Sequence, residues 1–296
     1  MTTVQERVKA ISDNKDLNLD TPYTTAKVEL SGICTLQCDF CYNQVMRKHD
    51  IRQKIMPLSD LHLVIEQLRQ ISSMKEVGLF YMGESAINPN ISLGYKILKD
   101  NGYFTYLTTN ATNIRYIESA IPYIDSLKVS WNYTDVDDFV KKTNSPKTVY
   151  YNIISNIAKL YNICHTYGKE LTISTVLDTK KQDYEEAIKN LKYDYHYYIP
   201  LQTQGGTNIK GIDGVVGESE SPVPPMPCWS LFKGVYIDVD LNVRTCCYGH
   251  KPEQIIGNLR KDDLVNILNC HKTKYMKQLH LQSRIPEECI ECLRNQ

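Results

Sequence analysis

Two apolar periods alternate along the first 205 residues of the chain, and that alternation is its strongest structural signal. The run Ala26 to Ile33 is apolar and β-like, with a strand expected over residues 25–31. A helix is expected from Ser59, a favourable N-cap, carrying Leu61, Leu63, Val64, Ile65 and Leu68 at helical spacing. Val77 to Tyr81 reads as a strand, and residues 90–101 as a helix closed by Gly102 at C′. Strands over 103–108, 126–131, 171–177 and 196–201 follow, separated by helices over 114–124, 149–167 and 184–191. Six strands with a helix between each pair predict an α/β fold with a parallel sheet and helical crossovers. The expected architecture is a partial (β/α)6 TIM-like barrel spanning residues 24–205. Ligand sites of such folds lie at the C-terminal ends of the strands.

Outside the barrel the pattern changes. Residues 1–23 are a polar lead-in, with one helix expected from Thr3 to Ile11. Residues 206–227 are broken by Gly206, Gly211, Gly214, Gly217, Pro222, Pro224, Pro225 and Pro227 and read as a connector. The tail, 228–296, holds six of the ten cysteines in 69 residues, and a separate small unit stapled by metal is expected. The basic run from Gln44 to Lys54 reads as a solvated face. With 34 basic and 34 acidic residues, the chain lacks the excess that nucleic acid or an anionic membrane would ask for. Met1 to Asp20 has no apolar core of a signal peptide, and no apolar run is long enough to span a bilayer. A cytoplasmic protein is expected, whose cysteines serve metal or redox chemistry before disulfides.

Cys34, Cys38 and Cys41 form a C-x3-C-x2-C spacing at the end of the first strand, with Phe40 just before the third cysteine. Three thiolates on one loop can converge on one metal centre. Tetrahedral zinc wants four ligands, and an iron–sulfur cluster is usually held by four cysteines. A cluster held by three has one iron open to something other than protein. A chance run of cysteines, or a loop that recruits a fourth from elsewhere, is the bland alternative. The spacing, with its aromatic, resembles the radical S-adenosylmethionine (SAM) superfamily. The resemblance implies a 4Fe–4S cluster on Cys34, Cys38 and Cys41 whose open iron binds the amino and carboxylate groups of SAM.

The same resemblance extends to other strand ends. Met82-Gly83-Glu84-Ser85 stands where the family has Gly-Gly-Glu-Pro, a segment associated with the SAM amino group. Met82 and Ser85 depart from that pattern; Gly83 and Glu84 keep it, including a carboxylate able to pair with an ammonium. Thr109-Asn110 and Ser130 stand where family members contact the SAM ribose and carboxylate, although polar residues at strand ends are common. In the tail, Cys228, Cys246, Cys289 and Cys292 suffice for a closed four-thiolate site, with a zinc knuckle as the alternative on spacing alone. Val235 to Asp240, Cys246-Cys247 and Ile256-Gly257-Asn258-Leu259 resemble the shortened SPASM domain, or twitch. That implies one auxiliary 4Fe–4S cluster, with Cys246 or Cys247 as the ligand from that pair. Cys247 is also a candidate hydrogen-atom donor, since some family epimerases use a free cysteine in that role. Cys164 reads as core, and Cys270 is ambiguous. The seven histidines form no ligand pair, and none is assigned a metal. Tyr193, Tyr195, Tyr197 and Tyr198 read as strand and surface residues, and Gln202 and Gln204 follow the last strand where a polar substrate would lie.

What the resemblance implies is reductive cleavage of SAM to methionine and a 5′-deoxyadenosyl radical, which takes a hydrogen atom from an unactivated C–H bond. The electron comes from a flavodoxin- or ferredoxin-type donor. Three readings compete for the outcome. One is oxidation or epimerisation of a small polar molecule such as a sugar or aminocyclitol. Another is modification of a peptide or protein side chain, disfavoured because 23 residues before the barrel are too few for a leader-binding domain. The third is a non-enzymatic iron–sulfur or zinc module, which needs neither Glu84 nor an open coordination site.

Overall fold

The alternating periods fold into a sheet whose first six strands lie in sequence order. In the computed structural model, which describes residues 15–41, 43, 53–177, 180–200, 226–249 and 252–289, these are β1 (Thr25–Val28), β2 (Glu76–Gly78), β3 (Phe104–Thr109), β4 (Ser126–Ser130), β5 (Leu171–Leu177) and β6 (Tyr195–Pro200). Each is parallel to the next. The crossovers are α1 (Leu58–Arg69), α2 (Ile91–Asp100), a 3-10 helix (Glu118–Tyr123), α3 (Val136–Thr143) with α4 (Lys147–Thr166), and α5 (Lys181–Ile188).

Burial alternates along β3 and β4, as a half-barrel with helices on one face requires. In β3, Thr105, Leu107 and Thr109 are buried toward the helices, while Phe104, Tyr106 and Thr108 are half-buried on the inner face. Val28, Val77, Leu107, Val129 and Ile173 meet Leu61 and Ile65 of α1, Tyr95 and Leu98 of α2, and Ile153 and Ile157 of α4 in one core. Each such aliphatic side chain contributes about 1.5–3 kcal/mol by leaving water.

Several element expectations are corrected. α1 begins at Leu58 behind Pro57, so Ser59 lies inside the helix instead of capping it. The 114–124 helix is a 3-10 helix containing Pro122, which has no N–H to extend an α-helical ladder. α3 carries no long apolar repeat and escapes a periodicity reading. Its start is fixed by Asp135, whose carboxylate accepts the backbone N–H groups of Asp137 and Asp138, both at 2.8 Å. Acidic residues then open α3 and lysines close it, as the helix dipole favours. Gly102, with φ 82°, takes the left-handed conformation expected after α2. The Thr3–Ile11 helix, the basic stretch 44–52, most of the connector, Gln202 and Gln204 lie outside the described residues.

The tail is distinct in composition but continuous in the sheet. It contains α6 (Trp229–Lys233), β7 (Gly234–Ile237), β8 (Asn242–Arg244), β9 (Ile255–Asn258), α7 (Leu264–Leu268) and α8 (His271–Leu281). β7 pairs in parallel with β1, Lys27 opposite Tyr236, and the nine strands run β6-β5-β4-β3-β2-β1-β7-β8-β9. Val235, Ile237, Val239, Leu241 and Val243 join the core of the barrel.

Candidate functional site

β1 delivers the chain to the three-cysteine loop, which is held at both ends. Near its start, Gly32 donates to the Lys54 carbonyl at 3.0 Å. Farther on, Gln37 and Asp39 donate their N–H groups to the carbonyls of Thr143 (3.3 Å) and Lys142 (2.7 Å), at the C-terminal end of α3. Lys142 is buried and fixed in turn by the Asn132 carbonyl, the Tyr184 hydroxyl and Asp138. The unexpected helix is therefore the shelf on which the loop rests. Cys34, Cys38 and Cys41 are half-buried, and Phe40 is half-buried between the last two. Burial pushes the Cys38 thiol well above its usual pKa; Cys41, Cys34 and Asp39 add to the rise, and a hydrogen bond with the Tyr133 side chain opposes it.

Among the described residues no three His, Cys, Asp or Glu side chains gather as the ligands of a single metal ion do. A four-iron cluster is wider than an ion, and its cysteine sulfurs stand further apart. The loop fits that demand, with three soft donors on one loop and both Cys34 and Cys41 close enough to influence Cys38.

The end of β2 locks against this loop. A Cβ on Gly83 would collide with the Ser31 carbonyl oxygen and stand 2.7 Å from that of Ile33, so only glycine permits the approach. Glu84 then donates its N–H to the Ile33 carbonyl at 2.8 Å. The Glu84 carboxylate is buried: one oxygen accepts from Ala86 N–H (3.0 Å) and the Thr109 hydroxyl (2.8 Å), the other from Asn110 N–H (2.7 Å). Burial raises its pKa against the pull of these donors. Asn110 completes the circuit, its amide donating to Thr35 Oγ1 at 3.1 Å and to Cys34 Sγ at 3.6 Å. Ala111 follows in the left-handed region at φ 56°, its carbonyl accepting from the Asn156 amide at 2.8 Å. Cysteine loop, Gly83, Glu84 and Asn110 thus form one hydrogen-bonded unit across three strand ends.

Ser130 joins none of these hydrogen bonds among the described residues. It lies half-buried at the end of β4 opposite Ser174, which pairs with Tyr197 on β6. The same inner face carries Thr108, Lys128 and, toward β1, Lys27 over the Phe80 ring at 5.5 Å. Lys128 hydrogen-bonds the Tyr197 hydroxyl. The face is a mixture of hydroxyls, ammonium groups and aromatic rings.

In the tail, buried Asp238 organises the β7–β8 hairpin, accepting from Asp240 N–H, Asn242 and Arg244 Nε, the last at 2.7 Å. Arg244 passes the constraint on, its guanidinium donating to the Gly249 carbonyl at 2.7 Å. The turn so fixed carries Cys246 and Cys247. Burial pushes the Cys246 thiol up, and Cys247, Cys289 and Cys228 add to it, so Cys246 lies within reach of two other expected ligands. Cys292 lies outside the described residues. Cys247 lies beside Ser230 (3.9 Å) and close to Tyr236, which Cys246 also approaches. Cys164 is buried in the barrel core, and Cys270 sits at the start of α8 beside Thr273.

Sequence reasoning missed four supports: Tyr133 at Cys38, Tyr81, whose hydroxyl donates to the Cys246 carbonyl at 2.7 Å, the Asp238–Arg244 pair, and His280. His280 is buried on α8, its pKa pushed down to about 4 by burial, with ring nitrogens 3.3 Å from Cys228 N and 3.6 Å from Cys289 Sγ. The helical spacing of Thr273, Met276, Lys277 and His280, which share the buried face of α8, was the one available signal.

The family model for the radical SAM superfamily matches residues 28–191, and that for an iron–sulfur cluster-binding domain, SPASM, matches 228–293. No curated protein matches the chain. Among solved structures, BtrN in complex with AdoMet and 2-DOIA is 14% identical over 88% of each chain, with a TM-score of 0.57. Streptococcus suis SuiB bound to precursor peptide SuiA is 14% identical over 92% of this chain and 70% of its own, TM-score 0.67. AnSMEcpe with bound AdoMet and Cp18Cys peptide is 13% identical over 92% and 88%, TM-score 0.61. At such identities the likeness is one of fold. Among the described residues no helix is long and apolar enough to cross a membrane. With the first match covering more than half of its length, the chain belongs to the radical SAM superfamily, whose cofactors are a 4Fe–4S cluster and SAM, and it carries a C-terminal SPASM iron–sulfur domain.

Proposed function

We propose that the chain is a radical SAM oxidoreductase or epimerase acting on a small polar substrate of the sugar or aminocyclitol kind. The observation that carries this reading is the polar inner face, Thr108, Lys128, Ser130, Ser174 and Tyr197, beside the hydrogen-bonded unit of cysteine loop, Glu84 and Asn110. When bound, the cluster and SAM supply a 5′-deoxyadenosyl radical that removes hydrogen from an unactivated C–H bond.

Cys34, Cys38 and Cys41 hold that cluster. Gly83 leaves the space in which the loop and the β2 end meet; Asn110, Ser130 and Phe40 line the SAM side. Glu84 acts by fixing strand ends, since its carboxylate is already engaged by three donors. The inner-face hydroxyls and lysines hydrogen-bond a hydroxylated or amino-bearing substrate, and the packed helix layer keeps bulk water from the other face. Cys228, Cys246, Cys289 and Cys292 hold the auxiliary cluster; the influence of both Cys289 and Cys228 on Cys246 supports Cys246 over Cys247. Cys247, beside Ser230 and Tyr236, is then the thiol for returning a hydrogen atom in an epimerisation.

A second reading, peptide modification, draws on the fold likeness to SuiB, which was solved with a precursor peptide. One experiment separates the readings. Anaerobically reconstituted protein is expected to carry about eight irons and to release 5′-deoxyadenosine from SAM with dithionite. Deuterated aminocyclitols and sugars are expected to pass deuterium into that product, and peptides are not. About four irons, with Cys34→Ala leaving the release unchanged, overturns the enzyme assignment; deuterium arriving from peptides alone overturns the small-substrate reading.

A further inference from the structure

His280 is a buried imidazole in contact with two different expected ligands. The N–H of Cys228 donates to His280 Nδ1 at 3.3 Å. A backbone N–H can only donate, so Nδ1 must present its lone pair, and the ring hydrogen of the neutral imidazole sits on Nε2. Nε2 lies 3.6 Å from Cys289 Sγ, the length of an N–H···S hydrogen bond. The ring cannot swing away: it is 1% exposed and packs edge-on to Phe232, itself fully buried, at a centroid distance of 6.5 Å. Its helix is anchored by Thr273, Met276 and Lys277 on the same buried face.

We propose that His280 is the positioning residue of the C-terminal cysteine centre, fixing Cys228 through one ring nitrogen and donating to the Cys289 sulfur through the other, so that the centre accepts an electron more readily. This rests on reading Cys228, Cys246, Cys289 and Cys292 as ligands of an auxiliary cluster. The physical basis is charge. Reduction adds one electron, spread partly onto the thiolate sulfurs, and a donor already aimed at one sulfur stabilises the more negative state. The ring keeps its hydrogen throughout, so the couple takes up one electron and no proton there. Because the donor is buried and preset, the hydrogen bond costs no reorganisation at the moment of transfer.

The test uses the reconstituted full chain, with the auxiliary centre followed by electron paramagnetic resonance during a redox titration. His280→Phe keeps a ring and removes both polar contacts. Its reduction equilibrium is expected to become about tenfold less favourable, the worth of one hydrogen bond, which is about 59 mV for a one-electron couple. His280→Gln, which retains an N–H, is expected to recover most of that shift. A merely structural role would lower iron content or thermal stability and leave the potential where it was. Should His280→Phe fail to assemble the centre, wild-type protein carrying 15N-histidine still decides. Pulsed resonance of the reduced centre is expected to show a weak 15N coupling, the mark of a hydrogen-bonded ring. No coupling, or the strong coupling of a directly ligated nitrogen, overturns the proposal, as does an unmoved potential with about eight irons present. Wild-type protein with only about four irons instead overturns the ligand reading on which it rests.

Discussion

The two cysteine centres are built on opposite plans. The loop of Cys34, Cys38 and Cys41 is supported from far away in sequence: by Lys142 and Thr143 of α3, Glu84 after β2, Asn110 after β3 and Tyr133 after β4. The Cys246 turn is supported chiefly from nearby, with Asp238, Arg244 and Gly249 within a dozen residues of one another; Tyr81 reaches it from the barrel, and His280 of α8 meets Cys228 and Cys289. A centre of the first kind stands or falls with the barrel. A centre of the second kind depends mainly on one hairpin and one helix, with a hydrogen bond from Tyr81 of the barrel. Local damage should therefore separate them.

The largest effect is expected from Arg244→Met. The change leaves Asp238 buried without its cation, which costs about 3–5 kcal/mol. Because Arg244 also holds the Gly249 carbonyl, the tail should lose its iron while the barrel retains about four irons and still releases 5′-deoxyadenosine. Simultaneous loss of both would show that the centres are one cooperative unit. Gly83→Ala should act in the opposite sense. Its methyl meets the Ser31 and Ile33 carbonyls, which are backbone and can yield only by moving the loop, at about 2 kcal/mol. Release of 5′-deoxyadenosine should fall tenfold or more with the tail iron unchanged, as measured by metal analysis and product assay.

The smallest effect sharpens the comparison through pH. Lys277 of α8 is buried over the Tyr23 ring at 4.2 Å, and burial pushes its pKa from 10.5 down to about 8. Between about pH 8 and 10.5 the folded chain has released this proton while the unfolded chain still holds it, so stability rises with pH across that window and the gain is absent at pH 7. Lys277→Met should raise stability at pH 7 by about 1–2 kcal/mol and remove that part of the slope, read from denaturant midpoints at both pH values. An unchanged slope would mean that the ammonium finds water in the folded state.

Much of the fold was legible because its signal is periodic. The six strands follow from apolar runs such as Leu171–Leu177, although β2 is only Glu76–Gly78 where the sequence predicts a strand over 77–81, and the cysteine loop follows from spacing alone. What escaped was non-periodic or non-local. α3 is a polar helix set by an Asp135 cap, and nothing in Val136–Thr143 announces that its last carbonyls will carry the cysteine loop. Glu84 reads as a carboxylate available to a ligand, yet its partners, Thr109 and Asn110, lie some 25 residues on and take its oxygens inward. His280 is one polar residue in an ordinary amphipathic helix, and its meaning depends on two cysteines brought to it by the fold.

The pairing of β7 with β1 also sets an order of assembly. β1 carries the chain directly into the cysteine loop, and one of its edges is satisfied only when residues 234–237 arrive. As the chain is synthesised from its N-terminus, that edge stays open while the rest of the sheet can already form. Pairing across such a sequence separation is slow, because a long loop must close before any contact rewards it. The strand that aims the first centre is thus among the last to be clamped, and iron that reaches the loop early meets a site whose floor is still unfinished.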